Sequence, residues 1–245
     1  MRSWTMSKIH IDLTEELENK VKELFRMTCE EVTEIIQKFH GNLESICQVT
    51  GYEPFVNYTN NSLEQLAEEA KANSLKIYEE WIEKGSFSQR AQKANAGEQA
   101  SEIARGLDDS VNLGIEEFWN FVSTIQPINV DTSHPKISDE SFEELKKIYV
   151  DASGEINEIG KQRVVEIEGL ADENPSYEHI IVPIRAISDV VGNNLKAIAE
   201  KIKEFKSQSK DISSEQTKID RDVVQSAVTS AKQTAEFGDM FADLF

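Results

Sequence analysis

Histidine side chains are the first candidates for metal binding or proton transfer, because their pKa lies near neutrality and their ring nitrogens bind metals. The sequence holds four of them, His10, His40, His134 and His179, spread along the chain. None forms an H-E-x-x-H pair on one helix, and none lies three residues after a glutamate, as a di-iron helix bundle requires. We therefore interpret the histidines as surface or helix-end residues, and the sequence predicts no metal site.

The two cysteines are the next candidates, since a cysteine thiolate is a strong nucleophile and a metal ligand. Cys29 and Cys47 fall in one predicted helix, where a rise of 1.5 Å per residue places them about 27 Å apart. That distance excludes a disulfide between them, which fits synthesis in a reduced compartment. Neither has a histidine at a known motif spacing, so we expect both thiols to pack on the apolar side of the helix.

Carboxylate pairs could act as acid and base, but the pairs in this sequence are adjacent residues of predicted helices. They are Asp108-Asp109, Glu116-Glu117 and Glu143-Glu144. Neighbouring side chains on a helix point about 100° apart, so they do not converge on one substrate. The phosphate-binding loop, the dinucleotide-binding glycine pattern and the G-x-S-x-G elbow are absent as well. We therefore expect no cofactor and no catalytic residue.

The charge of the chain narrows the kinds of partner. Its 45 acidic and 26 basic residues give a net charge of −19, which repels nucleic-acid phosphates and anionic lipid surfaces. No run of about 18 apolar residues is present, so no membrane insertion is expected. The first residues lack the apolar core of a secretory signal, and we expect a protein that is cytoplasmic or exported without a cleaved signal peptide. The charge fits either solvated helix faces or a basic partner.

Apolar residues at steps of three and four predict an all-α fold, an elongated bundle of about six helices. The first and longest stripe covers residues 12–48 and ends at the triplet Val49-Thr50-Gly51. Residues 52–61 are predicted to form a connection, because they contain a proline and several asparagines. A second helix is predicted to begin near Ser62, and a third to cover residues 89–125.

The helices are predicted to form two tandem, related helical units. Residues 1–11 form a leader, 12–125 the first unit, 126–137 a linker rich in proline and polar residues, and 138–245 the second unit. An apolar-x-glycine triplet ends the first long helix of each unit. We interpret this correspondence as an internal duplication, with chance similarity between amphipathic helices as the alternative.

The two triplets are Val49-Thr50-Gly51 and Ile167-Glu168-Gly169. A long helix, such a turn and a returning helix resemble the plan of the WXG100 proteins and the related LXG domains, helical hairpins exported by type VII secretion systems of Gram-positive bacteria. Neither triplet carries the tryptophan or leucine of that motif, and no tyrosine is followed four residues later by an acid. The resemblance implies a bacterial protein that pairs through its helices and is exported without a cleaved signal, with Val49, Gly51, Ile167 and Gly169 forming its turns.

The last residues of the chain form a second candidate site. Large apolar side chains recur there at steps of three and four, with aspartates between them: Phe237, Met240, Phe241, Leu244 and Phe245. Exposed in a row, they would make a docking ridge for a groove on a partner protein. The alternative is that they complete the core of the second unit.

These expectations combine into a non-enzymatic protein that acts through its helices. The leading hypothesis is an interaction protein with another, helical protein as its partner, in a homo- or heterodimer; a type VII secretion substrate or its partner is the specific form of this hypothesis. A first alternative is an acidic immunity-type protein that neutralises a basic toxin through its carboxylates. A second alternative is a helix-bundle enzyme whose site is assembled from distant residues.

Overall fold

A computed structural model describes residues 13–84, 86–173, 180–181, 183–185 and 187–210 of the chain. Every regular element in these ranges is a helix, which confirms the all-α prediction. In chain order, the helices α1 to α5 are Glu15–Thr50, Glu53–Lys84, Phe87–Lys93, Glu98–Ser123 and Asp139–Glu173. Residues 187–210 form a further helix, α6. Within the described ranges, no helix is both long and apolar enough to cross a lipid bilayer.

Two compact units divide the chain, Met1–Glu200 and Lys201–Phe245. The first unit contains α1 to α5 and residues 187–200 of α6. Of the second unit, the structure describes residues 201–210, which are helical. The boundary predicted at residues 126–137 lies inside the first unit, and the internal duplication stays a prediction.

Helix α1 begins and ends with residues that suit those positions. Thr14 precedes it in an extended conformation, and its hydroxyl accepts a hydrogen bond from the amide of Leu17 at 3.3 Å, as an N-cap residue does. At the other end, Gly51 has a φ of 50°, a left-handed conformation that glycine adopts at little cost. Its N–H donates to the carbonyl of Cys47 at 2.8 Å. The triplet Val49-Thr50-Gly51 therefore lies at a helix C-terminus.

Helix α2 begins at Glu53 rather than near Ser62, so the prediction of a connection over residues 52–61 is wrong. Pro54 lies in the first helical turn, where the missing N–H would have had no intrahelical acceptor. Asn60 pairs with the backbone of Ile128: its side chain accepts from the Ile128 N–H at 2.7 Å and donates to the Ile128 carbonyl at 2.8 Å. The proline and asparagines that suggested a loop are therefore compatible with a helix, and Asn60 of this helix binds the loop that contains Ile128.

The prediction of a single helix over residues 89–125 is also wrong, because the chain turns between α3 and α4. Asn95 has a φ of 52°, which no residue inside a helix adopts. Gly97 is the residue before α4 and, having no side chain, offers no capping atom. The break leaves α3 with only seven residues, too short to be stable without tertiary contacts.

A carboxylate from α4 binds the N-terminus of α3. The buried side chain of Asp108 accepts hydrogen bonds from the amides of Phe87 at 2.8 Å and Ser88 at 2.9 Å, and from the Ser88 hydroxyl. These amides are the unpaired donors at the N-terminus of α3, where a negative charge also faces the positive end of the helix dipole. Asp108 therefore fixes α3 against α4.

Helix α1 is the centre of the first unit, where it packs against α5 and α4, while α2 and α3 pack against α4. The stripe of α1 predicted from the sequence is buried and includes Val21, Phe25, Val32, Ile36, Phe39, Leu43 and Ile46. Phe39 meets Tyr149 of α5 edge to face, with ring centroids 5.0 Å apart. The Tyr149 hydroxyl is hydrogen-bonded to Ser62 of α2, and burial raises the pKa of Tyr149. Three helices therefore meet at one ring.

Helices α5 and α6 approach each other closely. A Cβ atom added at Gly160 of α5 would overlap the side chain of Ser188 of α6, so this contact requires glycine. Further along, the hydroxyl of Ser153 donates to the carbonyl of Gly192 at 2.7 Å. Glycine and serine residues therefore allow the two helices to approach closely at these two places.

The connection between α4 and α5 is attached to the helices at three places. The ring nitrogen Nε2 of His40 lies 2.9 Å from the Gln126 carbonyl, Asn60 binds Ile128 as described above, and the amide of Lys136 donates to the Thr50 carbonyl at 2.6 Å. Ile128 is buried. The connection is therefore part of the packed structure of the first unit.

Candidate protein-interaction surface on α4

The predicted turn residues lie in two different settings. Val49 is exposed and Gly51 is buried at the end of α1. Ile167 is buried inside α5, and the prediction that Gly169 ends a helix is wrong, because α5 continues to Glu173. A glycine inside a helix costs only about 1 kcal/mol against alanine, an amount that apolar burial elsewhere in the helix offsets.

The predicted C-terminal ridge lies outside the described residues. It consists of Phe237, Met240, Phe241, Leu244 and Phe245. Its role in docking stays a prediction. The candidate site described below is therefore built from residues of the first unit alone.

The side chains considered for catalysis do not assemble into a site in the described part of the chain. No group of three histidine, cysteine, aspartate or glutamate residues there is placed to hold a metal ion. Both cysteines are free thiols. Burial, followed by the carboxylates of Glu117 and Glu30, raises the pKa of Cys29 to about 12, and burial raises the pKa of Cys47. Both thiols are therefore protonated at neutral pH and are poor nucleophiles.

A groove between α2 and α4 gathers exposed apolar side chains. Leu75 and Tyr78 of α2 are 60% and 44% exposed, and Leu113 of α4 is 57% exposed. All three line this α2/α4 groove, whose volume is about 720 Å³. Single exposed apolar residues are ordinary on protein surfaces, whereas a group of them in one concave site is typical of binding.

Two residues that line the α2/α4 groove carry buried polar atoms without a hydrogen-bond partner in the described part of the chain. They are Nε1 of Trp119, a donor, and Oδ1 of Asn112, an acceptor. Trp119 is only 6% exposed. Trp81, Arg163 and Asn194 carry unpaired buried atoms elsewhere in the described residues, so these two atoms alone do not identify a binding site.

A second groove lies on the α1 side of α4 and has a volume of about 580 Å³. Phe25 and Cys29 of α1 and Phe121 of α4 line it, together with Leu113. Leu113 belongs to both grooves and therefore stands on the ridge of α4 between them. We call this ridge and the two grooves the α4 surface.

Carboxylates surround the α4 surface on both sides. The five that line its grooves are Asp109, Glu116, Glu30, Glu34 and Glu117. Arg26, one of the basic residues of the α1/α4 groove, is paired with Glu23 and Glu30 of its own helix. The surface is therefore apolar at its centre and mostly acidic at its edges.

Sequence reasoning missed this surface, although one signal for it was present. The buried stripe of α4 runs through Leu107, Val111, Ile115 and Phe118. Leu113 lies off that stripe, on the side where polar residues are expected. A leucine in such a position is the sequence feature that could have indicated a binding site.

No protein-family model, no curated protein and no solved structure matches this chain. The case for a function therefore rests on the chemistry of the α4 surface.

Proposed function

We propose that this chain is a non-enzymatic protein-interaction module that binds a helix of another protein on the α4 surface. The observation that carries the proposal is the gathering of Leu75, Tyr78 and Leu113 in one groove between two helices. A groove between packed helices accepts a further helix in the way that helices pack within a protein, ridge into groove. Binding would bury these apolar side chains, which is the main favourable term in such association.

The acidic edges of the α4 surface favour a partner of the opposite charge. Two copies of this chain would bring Asp109, Glu116 and Glu117 of each copy close together, and like charges at an interface oppose association. Of the two predicted assemblies, we therefore propose a heterodimer with a basic helical partner rather than a homodimer.

An acidic immunity-type protein is the second candidate, and the net charge of −19 favours it. Such a protein would hold a basic toxin mainly through its carboxylates, with fast association that weakens steeply as salt is added. Apolar docking on Leu113 would be much less sensitive to salt. The two candidates therefore differ in a measurable property.

A role in type VII secretion, as substrate or as helical partner, is the most specific form of the proposal. Its support is the order of the elements at the end of α1. This long helix ends at the triplet Val49-Thr50-Gly51, and α2 begins at Glu53. The corresponding triplet at Gly169 gives no such support, because it lies inside α5.

Affinity capture with three versions of the full chain tests the proposed function. The natural chain, Leu113→Asp and the control Val165→Asp would be used on extracts of the cells that produce the protein. Val165 is 66% exposed on α5, so its substitution adds the same charge to another helix. The captured protein would then be purified, and its Kd measured for each version at about 0.05 and 0.5 M salt.

We expect the Leu113→Asp substitution to weaken binding about tenfold or more, because it places a charge in an apolar contact. The control should bind like the natural chain at both salt concentrations. A complex that is equally tight with Leu113→Asp would refute docking on α4. If that complex also dissociates at high salt, the acidic immunity-type candidate gains instead.

A further inference from the structure

The exposed ridge of α4 carries charges at a fixed spacing. Asp109, Leu113 and Glu116 follow one another at steps of four and three residues, so they share one side of the helix. Both acids are exposed, and neither forms an ion pair within the described ranges. The two acids are seven positions apart, which corresponds to about 10.5 Å along the helix axis.

We infer that the partner is an amphipathic helix with two basic residues seven positions apart and an apolar residue between them. This inference rests on the proposed function and names the partner's chemistry. A helix that lies along α4 rises by the same 1.5 Å per residue. Its basic side chains, four residues before and three after the apolar one or in the reverse order, then meet Asp109 and Glu116 while the apolar side chain reaches Leu113.

The apolar part of such a helix fits the α2/α4 groove. Leu75 and Tyr78 are three residues apart and lie on one side of α2, facing the same groove as Leu113. Apolar residues of the partner at steps of three and four would therefore contact α2 and α4 together.

The spacing of the basic residues on the partner helix distinguishes this partner from a helix that is basic without a fixed spacing. Exposed ion pairs are individually weak, and two correctly placed pairs together change affinity by roughly fivefold. Their main effect is to select the register and the partner. A helix with the same number of basic residues at another spacing should therefore bind less well, although its net charge is identical.

Synthetic helical peptides of about 18 residues, as long as five helical turns, provide the test. The first peptide carries leucines at steps of three and four and two lysines seven positions apart around a central leucine. The second has the same composition, with the two lysines on the same side of the helix but three rather than seven positions apart. Binding to the full ¹⁵N-labelled chain would be followed through the indole N–H resonance of Trp119, assigned with a Trp119→Phe variant.

We expect the first peptide to shift the Trp119 resonance and to bind about fivefold more tightly than the second. The double variant Asp109→Asn, Glu116→Gln should remove this preference. The control Glu53→Gln, Glu168→Gln makes the same charge change at two exposed residues outside the groove and should keep it. Leu113→Asp should weaken both peptides.

Equal affinities for the two peptides, or a preference that survives the Asp109 and Glu116 substitutions, would overturn the spacing inference. A Trp119 resonance that neither peptide moves would overturn it as well. In each of these cases, a natural partner that still depends on Leu113 would leave the proposed function standing. If capture of the natural partner does not depend on Leu113, both the proposed function and the spacing inference are refuted.

Discussion

Arg163 of α5 holds Glu31 of α1 through a single guanidinium nitrogen, Nη2, which lies 2.8 Å from each oxygen of the carboxylate. Its other terminal nitrogen, Nη1, donates to Glu166 at 2.9 Å. The arginine is buried, whereas Glu31 is partly exposed. This pair crosses the interface between the two longest helices of the first unit and brings a charge into it.

The two partners of this pair should respond differently to substitution. Glu31→Gln leaves a buried guanidinium with one carboxylate fewer, and we expect it to lower the free energy of unfolding by about 1–3 kcal/mol. Arg163→Met removes the buried charge and leaves Glu31 free to be hydrated, so it should cost less. Urea unfolding of the full chain measures the free energy of unfolding of each variant. A larger loss for Arg163→Met would show that the attachment between the helices matters more than the buried charge.

The thiol of Cys29 should become reactive only in strong alkali. In a Cys47→Ala background, we expect its alkylation rate to rise about tenfold per pH unit between pH 8 and pH 11, because its pKa is raised to about 12. The same chain unfolded in urea should level off near pH 9, close to the ordinary thiol pKa. A native rate that levels off there as well would contradict the burial of Cys29 against α4.

The raised pKa of Cys29 also makes the stability of the folded chain depend on pH. The folded chain binds the Cys29 proton more tightly than the unfolded chain, so this contribution is fully present below about pH 9 and is lost as the pH rises toward 12. We expect the Cys29→Ala variant to lose less stability than the natural chain between pH 8 and pH 10.5. Parallel losses in the two chains would argue against this linkage.

Gly41 inside α1 and Gly51 just after its end should respond to alanine in opposite directions. Gly51→Ala places a Cβ atom 2.9 Å from the Asp131 carbonyl and forces a positive φ on alanine, so it should destabilise the chain by about 1–3 kcal/mol. Gly41→Ala meets no atom within 4 Å and lies inside the helix, and it should stabilise by up to about 1 kcal/mol. Thermal unfolding of both variants tests these two expectations. A Gly51→Ala variant as stable as the natural chain would show that the turn after α1 is not constrained.

Neighbouring aspartates of α4 provide a further matched pair. Asp108→Asn weakens the hydrogen bonds to the N-terminus of α3, and we expect a loss of about 1–3 kcal/mol. Asp109→Asn makes the same chemical change at an exposed residue and should stay within about 0.5 kcal/mol. Hydrogen exchange at the amides of Phe87 and Ser88 should accelerate only in the first variant. Unchanged protection there would mean that α3 is held by other contacts.

The sequence was most informative where local signals agree with one another. The apolar stripe of residues 12–48 corresponds closely to Glu15–Thr50, because the stripe, the capping threonine and the terminal glycine all indicate the same helix. It was misleading where a local signal was overridden by a distant contact. Asn60 resembles a loop residue until Ile128 is placed beside it, and no pattern within a single segment contains that information.

The α4 surface illustrates why a site of this kind is hard to predict. Leu75 belongs to a helix whose apolar pattern suggests burial, whereas Leu113 lies off the buried stripe of α4. Their exposure depends on which helices cover α2 and α4 in three dimensions. Metal sites and nucleophiles are encoded in residue types and spacings, whereas an uncovered apolar face is a property of the whole packing arrangement.

The connection between α4 and α5 is bound at Gln126, Ile128 and Lys136, and it fixes the position of α5 along α1. Its length sets how far α5 can slide along α1, and hence whether the ring of Tyr149 arrives beside Phe39. An inserted or deleted residue here could shift that register by up to about 3.5 Å, the span of one extended residue, which is enough to separate groups that pack at interior density. Surface loops usually tolerate changes of length, and this one should be an exception in any lineage that keeps the fold.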